Sequence, residues 1–295
     1  MKKIHIFNPK AGTGHAPSLL TEHEQLRDAY YITQGVGDAG RYIEQVCRTD
    51  PDTHFIVYGG DGTLNEAVSG VLRAGCGDRA ILSVVPMGTG NDFVRTLNSY
   101  GEKGDVITVD ALRVDDGFGV NIINTGFDCT VVDKTQHYKT LPMVGGGAAY
   151  VLGVADVLCH KLGRHWELTL TDAQDNIELF DEDGLLALFA NGRYYGGGFC
   201  AAPLADLTDG LMDVLLVRRV TRLQFLGLVG AYRKGEHLDP VTGAVRERFA
   251  SFVEYRRCKR ASIRGLDRLC SDGETADRTE SEIEVLPAAI RMQIL

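Results

Sequence analysis

The sequence predicts an α/β domain built on a mostly parallel sheet, followed by a β-rich antiparallel sandwich domain. Two observations carry this. Across residues 1–115, short apolar runs of strand character alternate with helix-like stretches, the texture of βαβ units. Beyond Asp115 the texture changes to short β-like runs punctuated by glycine-rich turns, as in antiparallel sandwiches and barrels. The predicted domains are residues 1–115 and 116–284.

In the first domain, residues 3–7, 30–33, 54–58 and 81–86 read as strands, and residues 16–28, 38–48 and 63–73 as the intervening helices. Each strand runs into a turn rich in glycine, asparagine or threonine. In a parallel sheet, ligands collect at the carboxyl ends of the strands, so these turns line one edge. In the second domain, residues 119–124, 166–171, 184–191, 212–218, 252–255, 261–263 and 282–286 read as strands. Helices are expected at 148–161 and 222–232, and a cleft between the domains.

With 295 residues, 44% hydrophobic and 24% charged, the chain has the composition of a soluble globular protein with a sizeable core. The net charge of -9 argues against bulk nucleic-acid binding. The 7 cysteines are scattered without a C-x-x-C pair, which points to free thiols in a reducing cytoplasm rather than to zinc. The start, Met1 to Pro9, has too short an apolar run for a signal peptide. The apolar stretch 143–159 holds three consecutive glycines and Asp156 and is too short to span a bilayer.

The strongest motif is Gly59-Gly60-Asp61-Gly62-Thr63, between an apolar strand and the helix opened by Leu64-Asn65-Glu66. Glycines let the backbone turn sharply and approach a ligand closely. A strand-to-helix turn adds free amides and the positive end of a helix dipole, which suits phosphate. A helix cap accounts for the acid and the hydroxyl, but not for three glycines in four positions.

Asn8-Pro9-Lys10-Ala11-Gly12 follows the first strand and either lines a triphosphate channel or is a plain turn. Thr33 ends the second strand as a nucleotide contact, and the following Gly35-Val36-Gly37-Asp38-Ala39-Gly40 is a weak dinucleotide match in the wrong place. Gly88-Thr89-Gly90-Asn91-Asp92 offers a further close backbone approach, with Asn91 or Asp92 able to cap the next helix. No Walker-type phosphate loop occurs.

In the second domain, Asp206, Asp209 and Gly210 read either as a magnesium site or as a hairpin with Asp-Gly at its tip. Asp272-Gly273-Glu274 is either an Asp-Gly turn or a place where an acid takes a proton from an attacking hydroxyl. Arg256-Arg257-Cys258-Lys259-Arg260, with Arg264 and Arg268, is either a solvated strand face or a patch for anionic lipid headgroups.

In this order the motifs resemble the diacylglycerol kinase catalytic-domain family, and within it the soluble bacterial lipid kinases, over nearly the whole chain. The likeness continues through Asn191-Gly192, Gly196-Gly197-Gly198 and Pro203. Gly-Gly-Asp-Gly-Thr alone is shared with NAD kinases and resembles part of 6-phosphofructokinase; the later motifs fit the lipid kinases. The resemblance implies a two-domain lipid-kinase/NAD-kinase-like architecture with ATP and Mg2+ as cofactors, in which a final strand over residues 285–295 can return to the first domain.

It further implies nucleotide contacts at Asn8, Pro9, Lys10, Ala11, Gly12, Thr33, Gly59, Gly60, Asp61, Gly62, Thr63, Leu64, Asn65, Glu66, Gly88, Thr89, Asn91 and Asp92. Glu274 looks like the catalytic base, Asp272 its neighbour, and Asp61 the residue near the phosphate-bound Mg2+. Asp206, Asp209 and the Leu211 carbonyl match a structural Mg2+ site. The expected activity is ATP-dependent phosphorylation of a lipid alcohol, foremost diacylglycerol to phosphatidic acid. NAD kinase is the alternative, and a non-catalytic nucleotide or lipid sensor the second. The expected setting is cytoplasmic, with transient contact at the anionic inner face of the membrane and no nucleic acid. A homodimer is compatible with the sequence, which does not decide oligomeric state or acceptor lipid.

Overall fold

The computed structural model describes residues 1–12, 29–87, 91–139, 152, 156 and 163–295. The expected helices at 16–28 and 148–161, and the turn residues Gly88 and Thr89, lie outside the described residues.

Four parallel strands form one end of a continuous sheet: β1 (Lys2–Phe7), β2 (Ala29–Ile32), β3 (Thr53–Gly59) and β4 (Ile81–Pro86), in the order β2-β1-β3-β4. β3 is buried along its whole length, which explains its continuous apolar run. Helix α1 (Asp38–Thr49) and helix α2 (Asp61–Arg73) pack against this sheet and each other. Their contact is backbone-close: a Cβ on Gly70 would stand 2.4 Å from the Gly40 carbonyl oxygen, so only glycine fits there. A short helix, α3 (Asp92–Leu97), follows the fourth strand.

The remaining strands run antiparallel. β5 (Val106–Val114) and β6 (Gly117–Gly119) form a hairpin, and β7 (Ile122–Gly126) leads into helix α4 (Phe127–Lys139). β8 (Arg164–Thr171), β9 (Ile177–Ala190) and β10 (Met212–Arg218) build the sandwich, and helix α5 (Arg222–Lys234) covers one face. β11 (Val253–Cys258), β12 (Arg260–Arg264), and the hairpin β13 (Arg268–Ser271) and β14 (Glu274–Asp277) precede the last strand, β15 (Glu280–Gln293).

β15 joins the two parts. It pairs antiparallel with β12 and β5, then parallel with β4 through Arg291 and Met292. The sequence reading assigns neither β5 nor the β13–β14 hairpin, and it finds only part of β9. β9 begins seven residues before the expected Gly184, because its first half is charged and its apolar side chains Ile177 and Leu179 are 67% and 72% exposed. α4 was hidden by Thr, Val and Val in its first turns, residues that favour strands.

Candidate active site

Two hollows meet at the carboxyl edge of the parallel strands. The first is a polar cleft of about 790 Å³ lined by Asn8, Pro9, Lys10, Ala11, Gly12, Thr33, Gly60, Gly62, Thr63, Glu66 and Glu274. Ile32, Gln34, Met87, and Gly35 and Val36 of the dinucleotide-like stretch complete it. The second is an apolar cavity of about 350 Å³ in the sandwich, walled by side chains of β9, α4 and α5, with Asp61, Asp92 and Asp272 among its polar lining residues.

The cleft is built by backbone constraint. β3 ends at Gly59, and a Cβ there would stand 2.5 Å from the Thr63 Cβ, so the turn closes only on glycine. Gly60 is the N-cap of α2 with no side-chain cap. The first-turn amides of α2 are therefore left to whatever fills the cleft, at the positive end of the helix dipole. Asn8 donates from Nδ2 to Thr63 Oγ1 at 2.9 Å, and its Oδ1 accepts from the Lys10 amide at 3.0 Å. This ties the first turn to the third. A phosphate chain fits such a cradle.

Glu274 opens β14 and is exposed in the cleft. Its Oε1 lies 3.6 Å from where a Cβ on Gly62 would stand. The carboxylate thus faces the amide end of α2 although 212 residues separate the two in sequence.

Asp272 holds this arrangement. Its Oδ1 accepts from the amides of Asn121 (3.1 Å) and Ile122 (2.8 Å), and its Oδ2 from the Val120 amide (2.7 Å) and Asn65 Nδ2 (2.7 Å). Burial pushes its carboxyl above the ordinary value, and these four donors pull it back. Its backbone is left-handed (φ 48°), a conformation Asp tolerates, and turns the chain toward Glu274. With every lone pair engaged, Asp272 positions and does not take protons. Asn65 also donates to the Phe118 carbonyl at 3.1 Å.

Several expected nucleotide contacts are spent elsewhere. Asp61 accepts from the amides of Asp92 (3.2 Å) and Phe93 (3.5 Å), capping α3, and burial raises its carboxyl while these amides lower it. Glu66 accepts from the amides of Gly37 (2.7 Å) and Ala39 (3.2 Å) at the start of α1. Asp92 takes the Gly197 amide at 2.7 Å; burial raises its carboxyl, against the Gly197 bond and Arg95. Leu64 is a core side chain, 1% exposed. Asn91 is the N-cap of α3. Asp61, Glu66 and Asp92 thereby fix the loops around the cleft.

The expected second-domain metal site is also reorganised. Asp206 accepts from the Tyr100 hydroxyl (3.0 Å) and from Thr208, and Asp209 from the Leu211 amide (3.0 Å) and the Arg257 guanidinium. No cluster of three or more metal-ligating side chains occurs among the described residues. A guanidinium on Asp209 stands where a cation would, so this donor set does not fit a ready Mg2+ site. The basic cluster is neutralised as well: Arg256 pairs with Glu178, Lys259 with Asp175, Arg260 with Glu284, Arg264 with Glu280 and Arg268 with Asp277. Like-signed in sequence, it is a mixed surface in space.

The apolar cavity contains one acid that sequence did not reveal. Asp128, on α4, accepts from the Tyr195 hydroxyl, which lies 2.8 Å from that of Tyr232. Burial pushes the Asp128 carboxyl up to about 6. Asp128 is half-buried and lines the cavity.

Comparison with known proteins follows this geometry. Residues 2–114 match the family model of the diacylglycerol kinase catalytic domain, and residues 121–294 that of the YegS C-terminal NAD kinase beta sandwich-like domain. A probable lipid kinase YegS-like of Chromohalobacter salexigens is 33% identical over 207 residues, 66% of this chain and 63% of that protein. The chain thus spans a little under two thirds of that relative. A diacylglycerol kinase of Mycobacterium tuberculosis is 27% identical, covering 99% of this chain and 94% of the relative. The crystal structure of a putative diacylglycerol kinase from Bacillus anthracis superposes with a TM-score of 0.72 at 21% identity, over 99% of this chain and 96% of that one, a likeness of fold.

Proposed function

This chain belongs to the YegS-like and diacylglycerol kinase-like lipid kinase family, and from that premise we propose that it transfers the terminal phosphoryl group of ATP to the hydroxyl of a lipid alcohol, diacylglycerol foremost. The observation that carries the reading is Glu274 Oε1 at 3.6 Å from the Cβ position of Gly62, where the polar cleft meets the apolar cavity. In this reading the α2 amides bind the phosphates, the cavity takes the acyl chains, and Glu274 accepts the proton of the lipid hydroxyl. Phosphoryl transfer needs positioning and charge neutralisation more than covalent chemistry. A divalent cation supplies that neutralisation on the phosphates when bound. Asp272 orients the Glu274 turn, and Asp61 and Asp92 hold α3 and the Gly197 loop against the cleft. An apolar wall suits an acyl chain and not a dinucleotide acceptor, which disfavours NAD kinase.

The test is transfer of labelled phosphate from ATP to diacylglycerol, other lipid alcohols and NAD, by the wild type and Glu274→Gln. The expected result is lipid turnover by the wild type and a loss of at least about 10²-fold in the folded variant. Preferred turnover of NAD, or ATP binding without lipid turnover, would overturn the proposal.

A further inference from the structure

Helix α5 is amphipathic in an unusual sense: one face lines the apolar cavity and the opposite face is apolar and exposed. Phe225, Leu228, Val229 and Tyr232 line the cavity. On the outside, Leu223 is 82% exposed, and Gly227 and Gly230 present bare backbone, with nothing within 4 Å of an added Cβ. Leu226 belongs to both sets: it lines the cavity and is 59% exposed, so it is one of the places where the cavity lining reaches the surface, as Gly196 and Gly273 also do. Residues 223, 226, 227 and 230 follow the i, i+3, i+4, i+7 spacing of one helix face.

The helix has the charge to match a lipid surface. Its 13 residues include Arg222, Arg233 and Lys234 and no acid. The cations stand at the two ends, flanking the apolar face. Thr221 and Gln224 form a capping box at one end and Gly235 closes the other, so the helix is well defined locally.

We propose that the outer face of α5, centred on Leu223, Leu226, Gly227 and Gly230, is the surface by which this protein docks on an anionic bilayer, bringing the cavity lining at Leu226 against the lipid. The proposal rests on the lipid-kinase reading, because it places the substrate's route into the same cavity. The apolar face enters the acyl boundary, and Arg233 and Lys234 at the end of the helix meet anionic headgroups, as interfacial helices do. The substrate chain then passes Leu226 from bilayer to cavity without crossing bulk water. This assigns docking to α5 and not to the basic stretch 256–268, whose cations are held by carboxylates.

The experiment is flotation with vesicles of neutral phospholipid alone or mixed with an anionic phospholipid, alongside turnover of a short-chain lipid alcohol dispersed below its aggregation limit. The variants are Leu223→Glu, Gly230→Glu and Gly227→Leu, all on the outer face and outside the cavity lining, with thermal unfolding as the folding control. Leu223→Glu and Gly230→Glu are expected to lower the bound fraction on anionic vesicles at least about tenfold, and Gly227→Leu to raise it several-fold. Turnover of the dispersed lipid is expected to stay within about twofold for all three, while turnover of bilayer lipid follows the bound fraction. Unchanged flotation in folded Leu223→Glu and Gly230→Glu overturns the proposal. So does a wild type that ignores anionic vesicles, or a Leu223→Glu variant that changes oligomeric state instead of vesicle binding. Absence of turnover on dispersed lipid by the wild type refutes the lipid-kinase reading, independently of flotation.

Discussion

Asp272→Asn separates a positioning carboxylate from a catalytic one. The substitution keeps shape and replaces one acceptor oxygen by an NH2 group. If the amide nitrogen takes the Oδ2 position, it faces the Val120 amide and Asn65 Nδ2, both at 2.7 Å; if it takes Oδ1, it faces the amides of Asn121 at 3.1 Å and Ile122 at 2.8 Å. Either way two charge-assisted hydrogen bonds become donor-to-donor contacts, at about 1.5–3 kcal/mol each. Relief of the buried charge returns part of this, because burial already raises the Asp272 carboxyl. The net expectation is a loss of roughly 2–4 kcal/mol, or about 3–7 °C in Tm for a chain of this size. The turn carrying Glu274 is then free to shift, and a displacement of about 1 Å costs about 10²-fold in turnover. Thermal unfolding and lipid phosphorylation measure the two effects. Asp277→Asn on the same hairpin, which removes only an exposed pair with Arg268, is the control and is expected to cost less than about 0.5 kcal/mol. An Asp272→Asn protein with wild-type Tm and turnover would refute the argument, because four hydrogen bonds to one carboxylate would then contribute nothing.

Other substitutions separate structure from binding in the same way. Gly59→Ala puts a Cβ 2.5 Å from that of Thr63 and is expected to destabilise by about 1–3 kcal/mol, whereas Gly62→Ala meets only Glu274 Oε1 at 3.6 Å and is expected to keep stability but weaken ATP, as calorimetric titration and thermal unfolding of each would read. Asp128→Asn addresses a carboxyl whose folded value of about 6 exceeds its ordinary 3.8. The folded state therefore holds the extra proton between those values, and stability is lost as pH rises through that window. Urea unfolding should show the variant gaining on the wild type by on the order of 1–2 kcal/mol more at pH 8 than at pH 4.5, after allowing for water in the cavity. Because Arg257 already occupies Asp209, chelation is expected to leave Tm within about 1 °C, and a large drop would show that a metal displaces the arginine.

The glycine turn after β3 was legible because its constraint is local. Three glycines in four positions answer a steric demand within one turn, visible as the Gly59 contact with Thr63. The alternation of strands and helices up to residue 86 was legible for the same reason, since each period is set within a few residues. What stayed hidden depends on pairing across the chain. The Arg257 guanidinium meets Asp209 48 residues away, and the cations 256–268 meet carboxylates scattered from Asp175 to Glu284. No local pattern announces such neutralisation. Asp272-Gly273-Glu274 stayed ambiguous between a turn and a proton-accepting site because its partners, Asn65 and the amides of 120–122, lie at least 150 residues away. The cavity was illegible altogether: Phe127, Leu185, Phe225 and Tyr232 are ordinary apolar residues until the sheet and two helices bring them together.

The way β15 is built limits how the two hollows can open. Its residues pair with β12 and β5 in the sandwich and reach β4 in the parallel sheet, so both parts share one hydrogen-bonded strand. A hinge that separated Glu274 from α2 would have to break the side-chain hydrogen bond from Asn65 to Asp272 and shear this strand from its neighbours at the cost of backbone hydrogen bonds. The sequence-level expectation of two domains with a cleft between them suggests a hinged clamp; the shared strand argues for a fixed distance between phosphate cradle and base. Access must then come through local openings. The polar cleft is open to solvent along the strand ends, which suits a soluble nucleotide. Among the described lining residues of the apolar cavity, Leu226 on α5, Gly196 and Gly273 are exposed, so an insoluble acceptor entering beside α5 needs no separation of the two halves. The bonds that tie the two parts together are thus compatible with the entry route proposed at the exposed face of α5.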